Sequence, residues 1–338
     1  MEFKEVVKDL LFTFGVSGYE ESIRKKIIDY LKNYGEPEID KLGNVYLTIG
    51  SGERHIAFMA HMDEIGAVIS YIEDSGFLKI KKLGGVDARI LYGQVMEILT
   101  QHGKIVNGVI GLKPPHISKE DEMNKVIPVE DLYLDVGAKS KEDVKSMGIN
   151  VLDPVRWVKQ FHILRERYIV SRGLDDRAGC AILILLLDKL SKEHLKNKVT
   201  FIFTIQEETG LRGAKAIVEK DIDELYAIDS VTAADQPKVD YSLSPASLGN
   251  GPVFRFIDAR GINSFELRMR ARDIANKNKI PFQELATGGS TDAAGTFELG
   301  IPSLAICFPI RYTHTTVEMI DMEDINNEIK LLEKIVMD

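Results

Sequence analysis

The chain has 338 residues, of which 44% are hydrophobic, so it can bury a full core as one large domain or two ordinary ones. Its formal net charge of -9 argues against a nucleic-acid-binding protein, because neutralising phosphates requires a basic surface. The first residues lack the basic start of a signal peptide, and the longest apolar run, residues 181–187, is too short to span a bilayer. Two cysteines make no disulfide framework. We therefore expect a cytoplasmic globular protein with neither nucleic-acid nor membrane partners.

The first third of the chain combines helical and strand patterns. Amphipathic spacing predicts helices at residues 3–14 and 20–34. Runs of β-prone residues predict strands at residues 44–49 and 55–60, and the glycines of residues 50–53 predict a hairpin turn between them.

The sequence pattern changes between residues 67 and 162, where glycine and proline interrupt short runs of β-prone residues. After residue 165, helices and strands alternate again. The predicted helices are 177–191, 213–219, 264–276, 292–299 and a closing helix, and the predicted strands are 199–205, 225–228, 282–285 and 303–308. This alternation predicts an α/β fold with a mixed sheet flanked by helices. We expect one discontinuous domain, residues 1–66 plus 163–338, with a β-rich domain, residues 67–162, inserted at a surface loop.

His61 and Asp63 follow the strand at residues 55–60, where the carboxyl edge of the sheet should lie. Residues two apart in an extended segment point the same way, so Asp63 can accept a hydrogen bond from the His61 ring and fix its tautomer. Taken alone, the pair is more typical of a charged turn after a buried strand.

Pairs of acids occur at two further places. Asp175 and Asp176 open a predicted helix, where an N-cap explains one acid but not both. Glu207 and Glu208 follow the strand at residues 199–205, and adjacent carboxylates repel unless something neutralises them. A metal would do this, and a glutamate beside it that does not bind the metal could transfer a proton.

Asp229 stands at the end of the strand at residues 225–228, and His314 follows the strand at residues 303–308. These ligand-type residues all fall at strand ends or at a helix start within one α/β domain, which indicates a common site. Histidines and carboxylates without thiolates suit Zn or Co, and a carboxylate that bridges two metals is usual in hydrolases. The sequence therefore predicts two divalent metal ions.

The chain resembles the tetrahedral (TET) aminopeptidases, which include deblocking and glutamyl aminopeptidases and sequences once labelled endoglucanases. The resemblance runs nearly end to end. Its motifs are His61-Met62-Asp63-Glu64-Ile65-Gly66, Gly84-Gly85-Val86-Asp87, Leu174-Asp175-Asp176-Arg177, Gln206-Glu207-Glu208-Thr209-Gly210, Thr291-Asp292-Ala293 and Arg311-Tyr312-Thr313-His314.

The resemblance implies a set of ligands for two metals. Asp175 bridges the ions, His61 and Asp229 complete one site, and Glu208 and His314 complete the other. It also implies a cis peptide bond after Asp175.

The resemblance further implies catalytic roles and an assembly. Glu207 is the general base for a metal-activated water that attacks N-terminal peptide bonds of short peptides, and Asp63 orients His61. The inserted domain mediates dimerisation, and dimers build a hollow tetrahedral homododecamer.

The chain departs from the family pattern after Asp229, where Ser230 precedes Val231 and Thr232. This leaves Asp235 as an alternative ligand, although Asp229 is preferred because it ends the apolar strand. Ser290 replaces a glycine common in the family before Thr291-Asp292. Thr291-Asp292 is ambiguous, because an N-cap of the next helix would explain it fully, whereas the family resemblance implies a loop beside the active site. We leave it out of the catalytic set.

Three alternative functions share parts of this pattern. A carboxypeptidase or N-acyl amino-acid deacylase would use the same metal centre on a different substrate terminus. A glycanase is less favoured, because glycosidases need a separate pair of carboxylates around the scissile bond. A catalytically silent scaffold is disfavoured by the complete set of ligands and the presence of Glu207.

Overall fold

The computed structural model describes residues 1–218 and 221–338 and divides into two compact units. The first unit comprises Met1–Asp63, Gln160–Thr313 and Val317–Asp338, and the second comprises Glu64–Lys159 with His314–Thr316. No helix in the described ranges combines the length and apolar character needed to cross a membrane.

The helices follow the apolar periodicity of the sequence. In chain order they are α1 (Phe3–Phe12), α2 (Glu21–Leu31), α3 (Glu120–Met123), α4 (Lys141–Ser146), α5 (Leu174–Leu190), α6 (Phe265–Lys277), α7 (Asp292–Gly295) and α8 (Met322–Met337). Helix α6 illustrates the local rules, since the Ser264 hydroxyl accepts a hydrogen bond from the Leu267 N–H as an N-cap and Leu267, Ala271 and Ile274 are buried on one face.

The strands form three sheets. In chain order they are β1 (Glu38–Ile39), β2 (Val45–Ile49), β3 (His55–His61), β4 (Gly66–Ile72), β5 (Leu78–Leu83), β6 (Gln94–Leu99), β7 (Ile105–Ile110), β8 (Tyr133–Leu134), β9 (Pro154–Trp157), β10 (Phe161–Leu164), β11 (Tyr168–Ser171), β12 (Lys198–Thr204), β13 (Glu224–Thr232), β14 (Val253–Ile257), β15 (Gln283–Ala286), β16 (Ser303–Ile310) and β17 (Glu318–Asp321).

The first unit is built on an eight-stranded mixed sheet with the order β1-β2-β12-β3-β13-β16-β14-β15, and a small sheet, β10-β11-β17, lies in the same unit. Strand β3 runs parallel to both β12 and β13, and β13 runs parallel to β16. Alternate residues of β3 enter different apolar clusters, with Phe58 on one face and Met59 on the other. Both faces are therefore covered, which confirms the predicted mixed α/β architecture.

The predicted hairpin between the strands at residues 44–49 and 55–60 is wrong. Strand β12 lies between β2 and β3, antiparallel to the first and parallel to the second. Six of the seven residues of β12 are buried, so this strand needs neighbours on both sides and cover on both faces.

Two other predicted boundaries need correction. Strand β13 does not end before Asp229 but continues to Thr232, because Ser230, Val231 and Thr232 keep pairing with β16. The helix predicted at residues 213–219 is only a 3-10 turn at Ala214–Ala216, and residue 219 lies outside the described ranges.

The second unit is built on a six-stranded sheet with the order β7-β6-β9-β4-β5-β8, in which all pairings are antiparallel. Its core includes the fully buried Trp157, whose indole N–H donates to the Ile90 carbonyl at 3.2 Å. Glu64 and Lys159 form an ion pair buried in the same unit.

Candidate metal centre and catalytic residues

Three predicted ligands of the first unit meet at the carboxyl edge of the parallel strands. His61 is the last residue of β3, Asp229 lies in β13 and Asp175 opens α5. His61 Nε2 lies 3.3 Å from Asp175 Oδ1 and 4.0 Å from Asp229 Oδ1. All three side chains are buried, and their ligand atoms lie within 4.8 Å of one another. Parallel strands bring these distant residues together because their carboxyl ends share one edge of the sheet.

The two remaining predicted ligands lie in different units. Glu208 follows β12 in the first unit, and His314 belongs to the second unit.

The charges and pKa shifts of His61, Asp175 and Asp229 are those of a site that could bind a cation. Burial, and next the charge of Asp175, raise the pKa of Asp229 to about 8. Burial opposes protonation of His61, but hydrogen bonds to Asp175 and Asp63 outweigh it and hold the pKa of the imidazole well above its ordinary value. Carboxylates packed this closely repel one another, and a divalent cation would neutralise them. The donor set, imidazole and carboxylate without thiolate, fits Zn or Co.

Asp63 contacts both the predicted ligand and the predicted base. The Asp63 carbonyl lies 3.1 Å from His61 Nδ1, and its carboxylate Oδ1 lies 3.4 Å from the same nitrogen. The carboxylate also accepts hydrogen bonds from the backbone N–H groups of Glu207, at 3.0 Å, and Glu208, at 3.3 Å. Asp63 therefore couples the orientation of His61 to the position of the loop after β12.

That loop is held from two further directions. The Asn44 side chain accepts a hydrogen bond from the Ile205 N–H and donates one to the Gly213 carbonyl, each at 3.1 Å. Glu20 Oε1 accepts the Gln206 N–H at 3.2 Å. The backbone around Glu207 is consequently fixed on both sides.

The carboxyl group of Glu207 has a shifted pKa, and burial is the largest cause. It raises the pKa of this carboxyl well above its ordinary value, His61 opposes the shift, and Asp229 and Asp292 add to it. A carboxyl group with such a raised pKa can both accept and return a proton, which general acid-base catalysis requires.

Asp176 contacts backbone groups at the end of β3 and in α5. Its carboxylate accepts the backbone N–H of His61 at 3.2 Å and that of Gly179 at 3.1 Å. The Asp175-Asp176 peptide bond is cis, which confirms the expectation from the family resemblance. The second acid of the pair thus holds the end of β3 against the start of α5.

Asp235, the alternative ligand, is engaged elsewhere. Its carboxylate forms an ion pair with the Arg311 guanidinium and accepts the Leu248 N–H at 3.2 Å. Among the residues that the structure describes, Asp229 and not Asp235 belongs to a possible metal group.

Thr291 stands at the N-cap position of α7 but makes no side-chain cap bond. Asp292 is buried and accepts a hydrogen bond from the Thr204 hydroxyl at the end of β12. Burial raises the pKa of Asp292 to about 6, with His61 opposing the shift. Asp292 thus contacts the end of β12, just before the loop that carries Glu207.

Asn44 and Glu20 were not predicted from the sequence, because they contact the loop after β12 from distant parts of the chain and no local spacing reveals them. For Asp176 one signal was available, since a single N-cap left the second acid of the Asp175-Asp176 pair unexplained. His55, at the opposite end of β3 from His61, contacts the Thr200 hydroxyl with its ring at 2.7 Å.

Comparison with known proteins places this chain in a family. Residues 43–331 match the model of the M42 glutamyl aminopeptidases. A putative aminopeptidase of Acetivibrio thermocellus is 36% identical, with 97% of this chain and 98% of that protein covered. A lysyl aminopeptidase of Pyrococcus furiosus is 33% identical, with 97% and 94% covered. The TET1 peptidase of Pyrococcus horikoshii superposes with a TM-score of 0.92 at 40% identity over 99% of both chains. The chain belongs to the M42 glutamyl aminopeptidase family, and it is a peptide-bond hydrolase.

Proposed function

We propose that this protein is a dinuclear-metal aminopeptidase that removes N-terminal residues from short peptides. The observation that carries the proposal is the meeting of His61, Asp175 and Asp229 in the first unit, with Glu207 in electrostatic contact with His61 and Asp229. The M42 membership supports the same reaction class. The cytoplasm is the compartment that we propose for it.

In this proposal Asp175 would bridge the two ions, His61 and Asp229 would hold one of them, and Glu208 and His314 would hold the other. The meeting of His61, Asp175 and Asp229 in the first unit supports this assignment. Two bound Zn or Co ions would supply an activated water and a polarised substrate carbonyl.

Glu207 is the general base in this proposal. Its backbone N–H is anchored on Asp63, so its carboxylate starts from a fixed point next to the ligand Glu208. Glu207 accepts the proton from water on one carboxylate oxygen and returns it to the leaving amine. The raised pKa of this carboxyl group suits the return of the proton at neutral pH.

Two properties test the proposal together: the substrate terminus at which the enzyme cleaves, and the dependence of its activity on metal. Purified protein is stripped with a chelator, restored with Zn or with Co, and assayed on aminoacyl anilides, N-acyl amino acids and peptides with a blocked N-terminus. We expect activity on the aminoacyl anilides alone and its return with metal. Cleavage of blocked peptides from the carboxyl end, or of N-acyl amino acids, would instead support a carboxypeptidase or deacylase. Activity that survives complete metal removal would refute the metal mechanism.

We propose further that the second unit mediates dimerisation and that dimers form a tetrahedral dodecamer. Val95 of β6 pairs with Val109 of β7, and both side chains are 46% exposed, with Ile105 at 42% on the same strand as Val109. Neighbouring apolar side chains exposed on strands are typical of an interface. The TET1 peptidase of Pyrococcus horikoshii assembles into a tetrahedron or a large octahedral shell.

Light scattering of the purified protein tests the assembly. We expect the mass of twelve chains, and a smaller species when Val95 and Val109 are both replaced by lysine. Replacing the exposed Val218 of the first unit in the same way is the control. A wild-type protein that is monomeric at micromolar concentration would contradict the proposal.

A further inference from the structure

Glu318 lies outside the ligand set, yet it contacts the backbone that leads into Asp175. It is the first residue of β17, where it pairs with Ser171 of β11, and its side chain is fully buried. Carboxylates are rarely buried unless their charge is compensated. The contacts of Glu318 therefore show which groups compensate its buried charge.

Three consecutive backbone N–H groups point at one oxygen of Glu318. Its Oε2 accepts hydrogen bonds from Gly173 at 2.8 Å, from Leu174 at 2.8 Å and from Asp175 at 3.4 Å. The other oxygen, Oε1, accepts a hydrogen bond from Arg172 Nη1 at 2.8 Å. Successive N–H groups that converge in this way form a concave anion-binding arrangement of the backbone.

Gly173 makes this convergence possible. Its φ is 83° and its ψ is 23°, a left-handed conformation that glycine adopts without the steric cost borne by other residues. The turn at Gly173 directs the N–H groups of residues 173–175 toward the carboxylate before α5 begins. Because hydrogen bonds to an ionised acceptor are strong, the peptide plane before Asp175 has little freedom.

We infer that Glu318 is a positioning residue for the metal centre, which fixes the shared ligand Asp175 through the backbone of residues 173–175. The inference rests on the proposed dinuclear site. Asp175 is the bridging ligand of the proposed centre, so a displacement of its backbone would disturb both sites at once. Loss of a residue that orients a ligand typically weakens metal binding about 10–100-fold.

The test measures metal affinity directly, by competition with a chromogenic chelator, in addition to activity. In Glu318→Gln one oxygen becomes an NH₂ group, which cannot accept the backbone N–H groups or the Arg172 donor. We expect Zn affinity to fall about 10–100-fold and both equivalents to weaken together. Asp324→Asn is the matched control, because the buried Asp324 carboxylate accepts the N–H groups of Gly249 and Gly251, each at 2.7 Å, away from the ligands.

A purely structural role would give a different pattern. Thermal unfolding of the metal-free proteins would then show a loss of stability in both Glu318→Gln and Asp324→Asn, with unchanged Zn affinity in the folded protein. That result would overturn the inference. If Glu318→Gln does not fold, Gly173→Ala decides, since it leaves the carboxylate in place and disturbs only the left-handed turn. We expect the same weakening of Zn binding, and normal affinity would overturn the inference.

The outcome for the wild-type protein separates this inference from the proposed function. Wild type that binds no Zn would refute the dinuclear centre itself. Wild type that binds two Zn ions, together with a folded Glu318→Gln of equal affinity, would refute only the role of Glu318.

Discussion

Asp63 Oδ1 accepts the backbone N–H of Glu207 at 3.0 Å. Asp63, which follows the candidate ligand His61 by two positions, therefore also holds the backbone of the proposed base. The same side chain lies within 3.4 Å of His61 Nδ1. One carboxylate thus sets the distance between the proposed metal centre and the group that moves the proton.

Replacing Asp63 by Asn should lower kcat about 10–100-fold, the usual effect of losing a residue that supports a ligand. The amide can accept with one oxygen only, so the N–H of Glu207 or of Glu208 loses its partner. Steady-state kinetics on an aminoacyl anilide, with metal content measured in parallel, provide the check. Asp223→Asn is the control, because Asp223 accepts the N–H of His55 at the opposite end of β3. Equal kcat values for Asp63→Asn and wild type would show that the contact is dispensable.

The choice between Asp229 and Asp235 predicts two different metal contents. Asp229→Asn should lose about one of the two metal equivalents and most of the activity, because the amide is a poorer ligand than a carboxylate. Asp235→Asn should retain both equivalents, since Asp235 is paired with Arg311. Metal analysis after dialysis distinguishes them. A loss of metal in Asp235→Asn but not in Asp229→Asn would reverse the assignment.

Metal removal should change how stability depends on pH. The pKa of Asp229 is raised to about 8 in the folded, metal-free chain, first by burial and then by Asp175, whereas an unfolded aspartate titrates near ~4. Between these values the folded state binds more protons than the unfolded state, so the free energy of unfolding falls as pH rises. Metal binding requires ionised carboxylates and therefore strengthens with pH.

Thermal unfolding from about pH 5 to about pH 8 tests this linkage. With a chelator present, Tm should fall across the range by at least ~2 °C, which for a chain of this size corresponds to roughly 1 kcal/mol. With Zn present, Tm should rise or stay level. Parallel curves in the two conditions would mean that Asp229 and its neighbours do not bind the metal.

The close contact between Gly179 and the Asp176 carboxylate allows a steric test. A Cβ atom on Gly179 would lie 2.3 Å from Asp176 Oδ1, the oxygen that accepts the Gly179 N–H. Gly179→Ala should therefore displace the Asp176 carboxylate and lower stability by about 1–3 kcal/mol, the usual cost of overpacking. Urea unfolding of the variant measures the change, with Ala181→Gly in the same helix as a control for helix propensity. A stabilised Gly179→Ala would show that the carboxylate can move freely.

Local patterns predicted most of the first unit because its elements carry strong periodicity. Helix α6, expected at residues 264–276, spans Phe265–Lys277, and His61 stands at the end of a strand as expected. The apolar spacing and the Ser264 cap suffice for the first, and the uninterrupted apolar run of β3 suffices for the second.

Long-range pairing and support could not be predicted in this way. Nothing near residues 50–53 indicates that β12 separates β2 from β3, because strand order depends on the whole sheet. Strand β13 was expected to end before the charged residue Asp229. The buried Asp229 instead lies inside the strand. Asn44 and Glu318 act on loops far away in sequence, so their functions became visible only in three dimensions.

The most direct test of the account is the rate and metal content of Glu207→Gln. A glutamine keeps the shape of the side chain but cannot take up a proton, and loss of a general base typically costs about 10²–10⁴-fold in rate. We predict that the variant binds two equivalents of Zn like the wild type, that its KM for an aminoacyl anilide changes little, and that kcat falls by this factor. A variant with both metals and a near-normal kcat would contradict the account.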